Sequence, residues 1–456
     1  MLNPTIFREY DIRGIAESEL STDGIEELGR AIGSYIMRTG GESVNLARDC
    51  RLSSDRLRHA LAQGILSTGL EIADVGVVPT PLLYFSVLHL KAPGGVMITG
   101  SHNPAEYNGF KVMVGKSTIH GEDIQHLLQL IKERDFEQGS GSLRNVDFIP
   151  AYVEQLTAQF AFDRRVKVVF DAGNGTAGPV LRRMIEKLNV DAVEMFFEMD
   201  GRFPNHHPDP TMPENLIQLA DRVKAEGAEL GIAFDGDSDR IGAVDERGAT
   251  VYGDQLMIIY SREILSRKPG ATIIGEVKCS QLMYDDIRSR GGRAIMWKTG
   301  HSLIKAKMQE EQADLAGEMS GHMFFADRYF GFDDALYAAC RLIEIVASSG
   351  KPLSYQLADL PKSVTTPELR IDCPDDRKFE IVARVREHFS KRYETLGIDG
   401  ARVNFPEGWG LVRASNTQPV LVMRFEASTP DLLQRYREEV VDAVRAASGA
   451  ELQLTH

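Results

Sequence analysis

The chain has 456 residues, 43% hydrophobic and 26% charged, the balance of an ordinary globular protein with material for more than one core. Its net charge of -14 excludes a nucleic-acid binder, which needs a basic footprint, and means that any anionic ligand requires basic side chains converging in one cleft. Cys50, Cys279, Cys340 and Cys373 are scattered without a CxxC pair, so a disulfide framework or zinc site is not expected and reduced thiols in the cytoplasm are. The N-terminal MLNPTIFREYDIRG lacks the apolar stretch of a signal peptide, and the most apolar run, VGVVPTPLLYFSVLHL, is broken by two prolines and a histidine, so no membrane span is expected.

Strand-like and helix-like stretches alternate from the start. VNLARD and EIADVGVV read as strands around the helix DRLRHALAQGILSTG, and GGVMITG is a short apolar run ending in a polar loop. The same order recurs. VKVVFDAGNG begins a second unit, followed by the helix PVLRRMIEKLN, the strand VDAVEMFF and a later strand, ELGIAF. ATIIGEVK begins a third, followed by LMYDDIRSRG, RAIMWKTG and ADLAGE. In each unit the late strand runs into an unusual polar loop, GSHNP, DGDSDR or GEMSGH, and that placement points to a triplicated α/β domain. From about Thr366 the pattern changes to segregated strands (TPELRIDC, GWGLVRAS, PVLVMRFEAS) and helices (KFEIVARVREHFSKRYE, DLLQRYREEVVDAVRAA), as in an α+β domain. The expected architecture is three similar α/β domains with mixed sheets, at 1–150, 151–254 and 255–365, plus an α+β domain at 366–456, around a central cleft.

Three patterns suggest other functions. Gly173, Gly175 and Gly178 form GxGxxG between a strand and a helix, with Glu194 downstream, the outline of a dinucleotide fingerprint; a nicotinamide-dependent dehydrogenase is the alternative from another enzyme class. GKS at 115–117 has Phe110 where a P-loop needs glycine. Asp235, Asp237, Asp239 and Glu246 match EF-hand positions, but Arg240 stands where the loop needs glycine, and strands flank it.

Four loops carry the chemistry. Asp235, Asp237 and Asp239 alternate directly after an apolar strand and would repel one another without a cation; a hard divalent ion such as Mg²⁺ takes such ligands, and Arg240 adds a positive charge. In TGSHNP the acyl-transfer elbow GxSxG is absent, and Ser101 is a candidate to carry a phosphoryl group, with Lys111 returning toward it along GFKV. Glu318 and Ser320 alternate, so on an extended segment both point one way and suit two neighbouring sugar hydroxyls, while His322 can transfer protons near neutral pH. Arg413, Ser415, Asn416 and Thr417 form a donor-rich cradle for a phosphate. Each loop alone also has a plain structural reading, as a solvated acidic turn, a cap or a hairpin turn.

Taken in order, YDIRG, TGSHNP, NGFK, DGDSDR, WKTGHS, GEMSGH, GFDD and GWGLVRASNTQP run the length of the chain, which resembles the α-D-phosphohexomutases and most closely the bacterial phosphomannomutase/phosphoglucomutase group. The resemblance implies Ser101 as the phosphorylated serine. Asp235, Asp237 and Asp239 are then Mg²⁺ ligands, with a Ser101 phosphate oxygen completing the set. It implies Glu318 and Ser320 as sugar contacts, Arg413, Ser415, Asn416 and Thr417 as a phosphate site, and Tyr10, Arg240, Lys278 and His301 as further substrate contacts. Arg13, Lys111 and His322 share the acid and base roles. The implied reaction interconverts hexose 1-phosphate and 6-phosphate of mannose or glucose through a hexose 1,6-bisphosphate, in a monomer without membrane or nucleic-acid partners. GEMSGH looks like the dual mannose/glucose enzymes; a phosphoglucosamine mutase, whose loop looks like GEQSGH, is the neighbouring alternative.

Overall fold

The computed structural model describes residues 2–115, 117–416 and 418–449, with the backbone of 454–455. In the first domain, Ser43–Arg48 lies between Glu71–Val77 and Gly94–Ile98, parallel to both, and Tyr107–Val114 adds antiparallel to Gly94–Ile98. In the second, Val166–Asp171 lies between Val190–Met195 and Leu230–Phe234, again parallel, and Ile241–Asp245 returns antiparallel. In the third, Thr272–Glu276 lies between Arg293–Trp297 and Leu315–Gly317, and Met323–Phe325 returns antiparallel. One strand order is thus used three times, and each polar loop sits where the late parallel strand turns into its antiparallel partner. That point, beyond the carboxyl end of a parallel strand, is where open α/β sheets bind ligands. The strands leading to the first two loops, Gly94–Ile98 and Leu230–Phe234, are buried throughout, which explains their unbroken apolar sequence.

The last domain is an antiparallel sheet built on Ala401–Phe405, Gly408–Ala414, Val420–Ala427 and Leu369–Asp372, covered by the helices Lys378–Ser390 and Pro430–Ser448. The final helix starts at Thr429, whose side chain accepts from the Leu432 amide, followed by Pro430, and ends at Gly449 with φ +66°. The chain therefore has the expected three mixed-sheet α/β domains and a C-terminal α+β domain.

The packing between domains differs in kind. One apolar core runs through the first three, joining Phe85 and Tyr152 to Phe170 and Ile241 and to Phe325 and Tyr337. The last domain keeps its own core and meets the third through the small apolar contact of Trp409 and Leu411 with Val277, ringed by buried charges. Arg402 lies over the Trp409 ring at 3.8 Å and donates to the carbonyls of Val277 and Cys279, and Glu426 accepts from Ser280 Oγ at 2.7 Å and the Gln281 amide at 3.1 Å. Of the four domains, the last is therefore the one tied least by apolar contact, the kind of interface across which domains move most readily.

Candidate active site

The Ser101 loop and the acidic loop meet across the first two domains. Ser101 Oγ donates to Asp235 Oδ2 at 2.8 Å, with both side chains buried. The backbones approach so closely that a Cβ on Gly236 would lie 2.6 Å from the Ser101 carbonyl oxygen, which is why glycine divides the first two aspartates. Gly175, from the dinucleotide-like motif, permits a second close approach, since a Cβ there would lie 2.7 Å from the Gly236 oxygen. Glu194, the acidic residue of that motif, pairs with Arg182. Gly175 thus serves packing against the acidic loop, Gly178 lies where a Cβ would fall 2.0 Å from the Phe197 carbonyl oxygen, and the dehydrogenase alternative loses its motif.

Asp235, Asp237 and Asp239 are fully buried, and one oxygen of each lies within 4.8 Å of the others. Lys111, carried on the strand Tyr107–Val114, donates to Asp237 Oδ2 at 2.8 Å and contacts Asp239 Oδ2. Burial works against the ammonium charge, but the two aspartates outweigh it and hold Lys111 well above its usual range. Burial likewise opposes the Asp237 charge, and Lys111 overrides it and keeps that carboxyl low. Burial, then the neighbouring Asp237 and Asp239, push Asp235 well above the carboxylate range. Lys111 and Arg240, whose Nε lies 4.0 Å from Asp235 Oδ2, face the three aspartates, and Asp237 Oδ1 and Asp239 Oδ1 are buried without a hydrogen-bond partner. A divalent cation with oxygen ligands fits this donor set.

His322 stands between the acidic loop and the third domain. Arg240 Nε donates to its Nε2 at 3.0 Å, which puts the ring proton on Nδ1, 3.0 Å from Asp333 Oδ2 and 3.5 Å from Asp239 Oδ1. Asp239, His322 and Asp333 also have metal-like spacing, but with the ring proton on Nδ1 that nitrogen faces the two carboxylates as a donor and not a metal as a ligand. Lys305 Nζ pairs with Asp333 Oδ1 at 3.2 Å, and Lys305 and His322 together hold Asp333 well below its usual range against the effect of burial. The His301 ring stacks on His322 at 5.7 Å, and burial, then Lys305, keep it neutral.

Glu318 is buried and accepts from the Gly300 amide at 2.7 Å through one oxygen; Ser320 is half-buried. The expected alternation along an extended segment does not hold here. Residues 318–322 form a tight turn, with Glu318 N donating to His322 O and Gly321 N to Glu318 O, both at 3.0 Å, so Glu318 and Ser320 are neighbours through a turn and not through strand geometry. On the opposite wall Arg413 pairs with Asp399 at 3.0 Å, Ser415 Oγ accepts from the Gln418 amide at 3.1 Å, and Asn416 Nδ2 donates to Tyr10 OH. Thr417 lies outside the described residues. Tyr10 in turn donates to the Thr299 carbonyl at 2.9 Å, so the first, third and last domains meet at one phenol. Arg13 donates to Asn103 Oδ1 at 3.2 Å beside the serine loop, and Lys278 pairs with Glu368 at 3.1 Å at the seam.

Sequence reasoning missed the groups that hold these residues. Thr80 Oγ1 donates to Asp237 Oδ2 at 2.6 Å across 157 residues, Asp399 orients Arg413 and the Thr299 amide, and Glu276 accepts from Lys278 N, Thr299 Oγ1 and Met319 N. Asp333 lies within the GFDD motif, a signal that marks its position but not its pairing with His322 and Lys305.

A hydroxyl held against three buried carboxylates, with guanidinium and ammonium groups across the cleft, defines a phosphoryl-transfer enzyme acting on a small anionic substrate. The phosphoglucomutase/phosphomannomutase alpha/beta/alpha domains I, II and III match residues 4–138, 150–248 and 252–364, and the C-terminal domain of the same family matches 368–443. A phosphomannomutase/phosphoglucomutase of Pseudomonas aeruginosa is 46% identical over 450 residues, covering 98% of this chain and 97% of that one. A phosphoglucomutase of Neisseria gonorrhoeae is 44% identical, covering 94% of each. A solved phosphoglucomutase/phosphomannomutase family protein from Burkholderia thailandensis superposes with a TM-score of 0.93 at 44% identity, covering 99% of this chain and 100% of that one. The chain belongs to the phosphoglucomutase/phosphomannomutase family and is a phosphohexomutase. Among the described residues no helix is long and apolar enough to cross a membrane.

Proposed function

We propose that the chain interconverts the 1-phosphate and 6-phosphate of glucose and mannose, using Ser101 as phosphoryl carrier and Mg²⁺ on Asp235, Asp237 and Asp239. The observation that carries this reading is the 2.8 Å bond from Ser101 Oγ into the buried carboxylate trio. Mg²⁺, when bound there, neutralises charge on the phosphoserine oxygens. In the first half-reaction the bond from phosphorus to Ser101 Oγ breaks as one forms to the free O1 or O6 hydroxyl of the sugar, whose proton passes to a base. That leaves a hexose 1,6-bisphosphate. The sugar then turns end for end, the other phosphoryl group returns to Ser101, and the same base gives the proton back.

His322 is the group we assign to that proton, because Lys111 is held charged between two aspartates. Arg240, which occupies His322 Nε2, turns toward the arriving phosphate and frees it. Lys111 and Arg13 flank the transferring group as cations. Glu318 and Ser320 bind adjacent sugar hydroxyls shared by glucose and mannose, with Lys278 and His301 lining the same wall. Arg413, Ser415, Asn416 and Thr417 hold whichever phosphate is not reacting, with Tyr10 closing over it; one site for both orientations is what a reversible mutase needs.

The test is turnover of glucose, mannose and glucosamine 1-phosphates by the wild type and Ser101→Ala. The proposal requires comparable rates on the first two and none in the variant. Preference for the glucosamine ester would make the chain a phosphoglucosamine mutase, and an active Ser101→Ala would remove Ser101 from the chemistry.

A further inference from the structure

The Ser101 loop rests on a side chain to which no role has yet been given. Arg51 follows the strand Ser43–Arg48, and its side chain is fully buried. Its guanidinium has five N–H donors, and each one is used. Nε donates to Asp49 Oδ2 at 3.2 Å, Nη2 to the carbonyls of Ser101 and Asn103 at 2.8 and 2.6 Å, and Nη1 to those of Pro104 and Tyr107. Four carbonyls of one loop therefore converge on one planar cation. Asp49 closes the ring from the other side, taking the Gly100 amide at 3.1 Å and Ser54 Oγ at 2.6 Å. Gly100 is obligatory here, since a Cβ would fall 2.5 Å from Arg51 Cζ.

Two observations tie this arrangement to chemistry. Ser101 has φ +49°, a left-handed conformation that a residue with a Cβ adopts only when its surroundings impose it. Arg51 holds the carbonyl of that same residue, and Ser101 Oγ is thereby aimed at Asp235. The guanidinium also lies 5.1 Å from the Phe203 ring of the second domain, which carries the acidic loop.

We infer that Arg51, braced by Asp49, is a positioning residue for phosphoryl transfer: it holds the Ser101 loop in its left-handed conformation and registers Oγ against the carboxylate trio. The inference rests on the reading of Ser101 as phosphoryl carrier. Lysine keeps the charge of Arg51 but offers three donors on a single nitrogen, so it cannot reproduce the planar fork.

The experiment compares Arg51→Lys, Arg51→Gln and Asp49→Asn with wild type in steady-state turnover of glucose 1-phosphate. In all three, kcat falls about 100-fold, as expected for a displaced nucleophile. KM stays within about twofold, because no sugar or phosphate contact is touched. A wild-type kcat in Arg51→Lys, or a loss confined to KM, overturns the inference. Hydrogen exchange on the wild type does not depend on whether the variants fold: the amides of Gly100, Ser101 and Asn103, which donate to Asp49 Oδ2, Thr99 Oγ1 and the Gly100 carbonyl, should be protected like the adjoining strand Gly94–Ile98, and exchange at free-loop rates overturns the inference equally. Ser101→Ala in the same assay separates the two ideas. If it is active, the carrier reading fails; if it is inactive while Arg51→Lys is fully active, only the role of Arg51 falls.

Discussion

Tyr10→Phe isolates what holds the last domain over the cleft. The phenol donates to the Thr299 carbonyl at 2.9 Å and accepts from Asn416 Nδ2, so it spans three domains with two hydrogen bonds. Burial pushes its pKa up to about 12, so it remains a donor at every working pH. Phenylalanine keeps the ring and its edge contact with His301 at 6.4 Å, and removes only the hydroxyl. Only the Asn416 bond reaches the last domain, and a neutral hydrogen bond is worth about 0.5–1.5 kcal/mol, so the seated position of that domain loses roughly 0.5–1.5 kcal/mol relative to the released one. That corresponds to about 2- to 13-fold in the equilibrium. Because Arg413 travels with this domain, substrate binding weakens by the ratio of the seated fractions, at most by that factor. The expected result is a KM raised by up to about tenfold for glucose and mannose 1-phosphates, with kcat changed far less. A double-mutant cycle with Asn416→Ala should give a coupling of about 0.5–1.5 kcal/mol. An unchanged KM with zero coupling would refute the reasoning, since the phenol would then be a bystander.

Asp237→Asn removes the charge that Lys111 and Thr80 both contact, and should raise the Mg²⁺ concentration for half-activity and lower kcat by roughly 100-fold or more, read from a metal titration. Arg413→Ala deletes a charge-assisted phosphate contact worth about 1.5–3 kcal/mol, so KM should rise about 10- to 100-fold for both sugars alike. A rise for one sugar alone would contradict the shared phosphate site. Asp334 caps the helix Ala335–Ser349, accepts from Tyr152, Tyr329 and the Tyr337 amide, and is pushed up by burial to about 6. A carboxyl that binds its proton more tightly when folded stabilises fully below the unfolded value near 4 and loses that contribution as pH rises through 6. Asp334→Asn cannot titrate, so its stability relative to wild type should increase by about 3 kcal/mol between pH 3.5 and pH 7.5 in urea unfolding. A constant difference would show that the carboxyl is not shifted.

The repeated strand order was legible because each unit carries the same local pattern, a buried strand feeding a polar loop. GSHNP, DGDSDR, GEMSGH and RASNTQ stood out because their residue types are uncommon at a strand end and make sense together. Thr80, Arg51, Asp399 and Asp333 were not legible in the same way. Each acts through a contact made only in the folded chain, as when Thr80 meets Asp237 across 157 residues, and nothing in the neighbouring sequence marks a threonine or arginine for such a role. The state of Lys111 was hidden for the same reason. Its position on GFKV indicated proximity to Ser101, but only the placement of Asp237 and Asp239 around the ammonium decides that it is a fixed cation. The turn at 318–322 is the converse case: alternation in sequence suggests strand geometry, but the chain reverses there.

Intact-mass analysis before and after incubation with glucose 1,6-bisphosphate and Mg²⁺ probes the phosphoryl carrier directly. One added phosphate, mapped to Ser101 and discharged by glucose 1-phosphate, is the predicted outcome. A protein that turns over substrate while never carrying phosphate on Ser101 would contradict it.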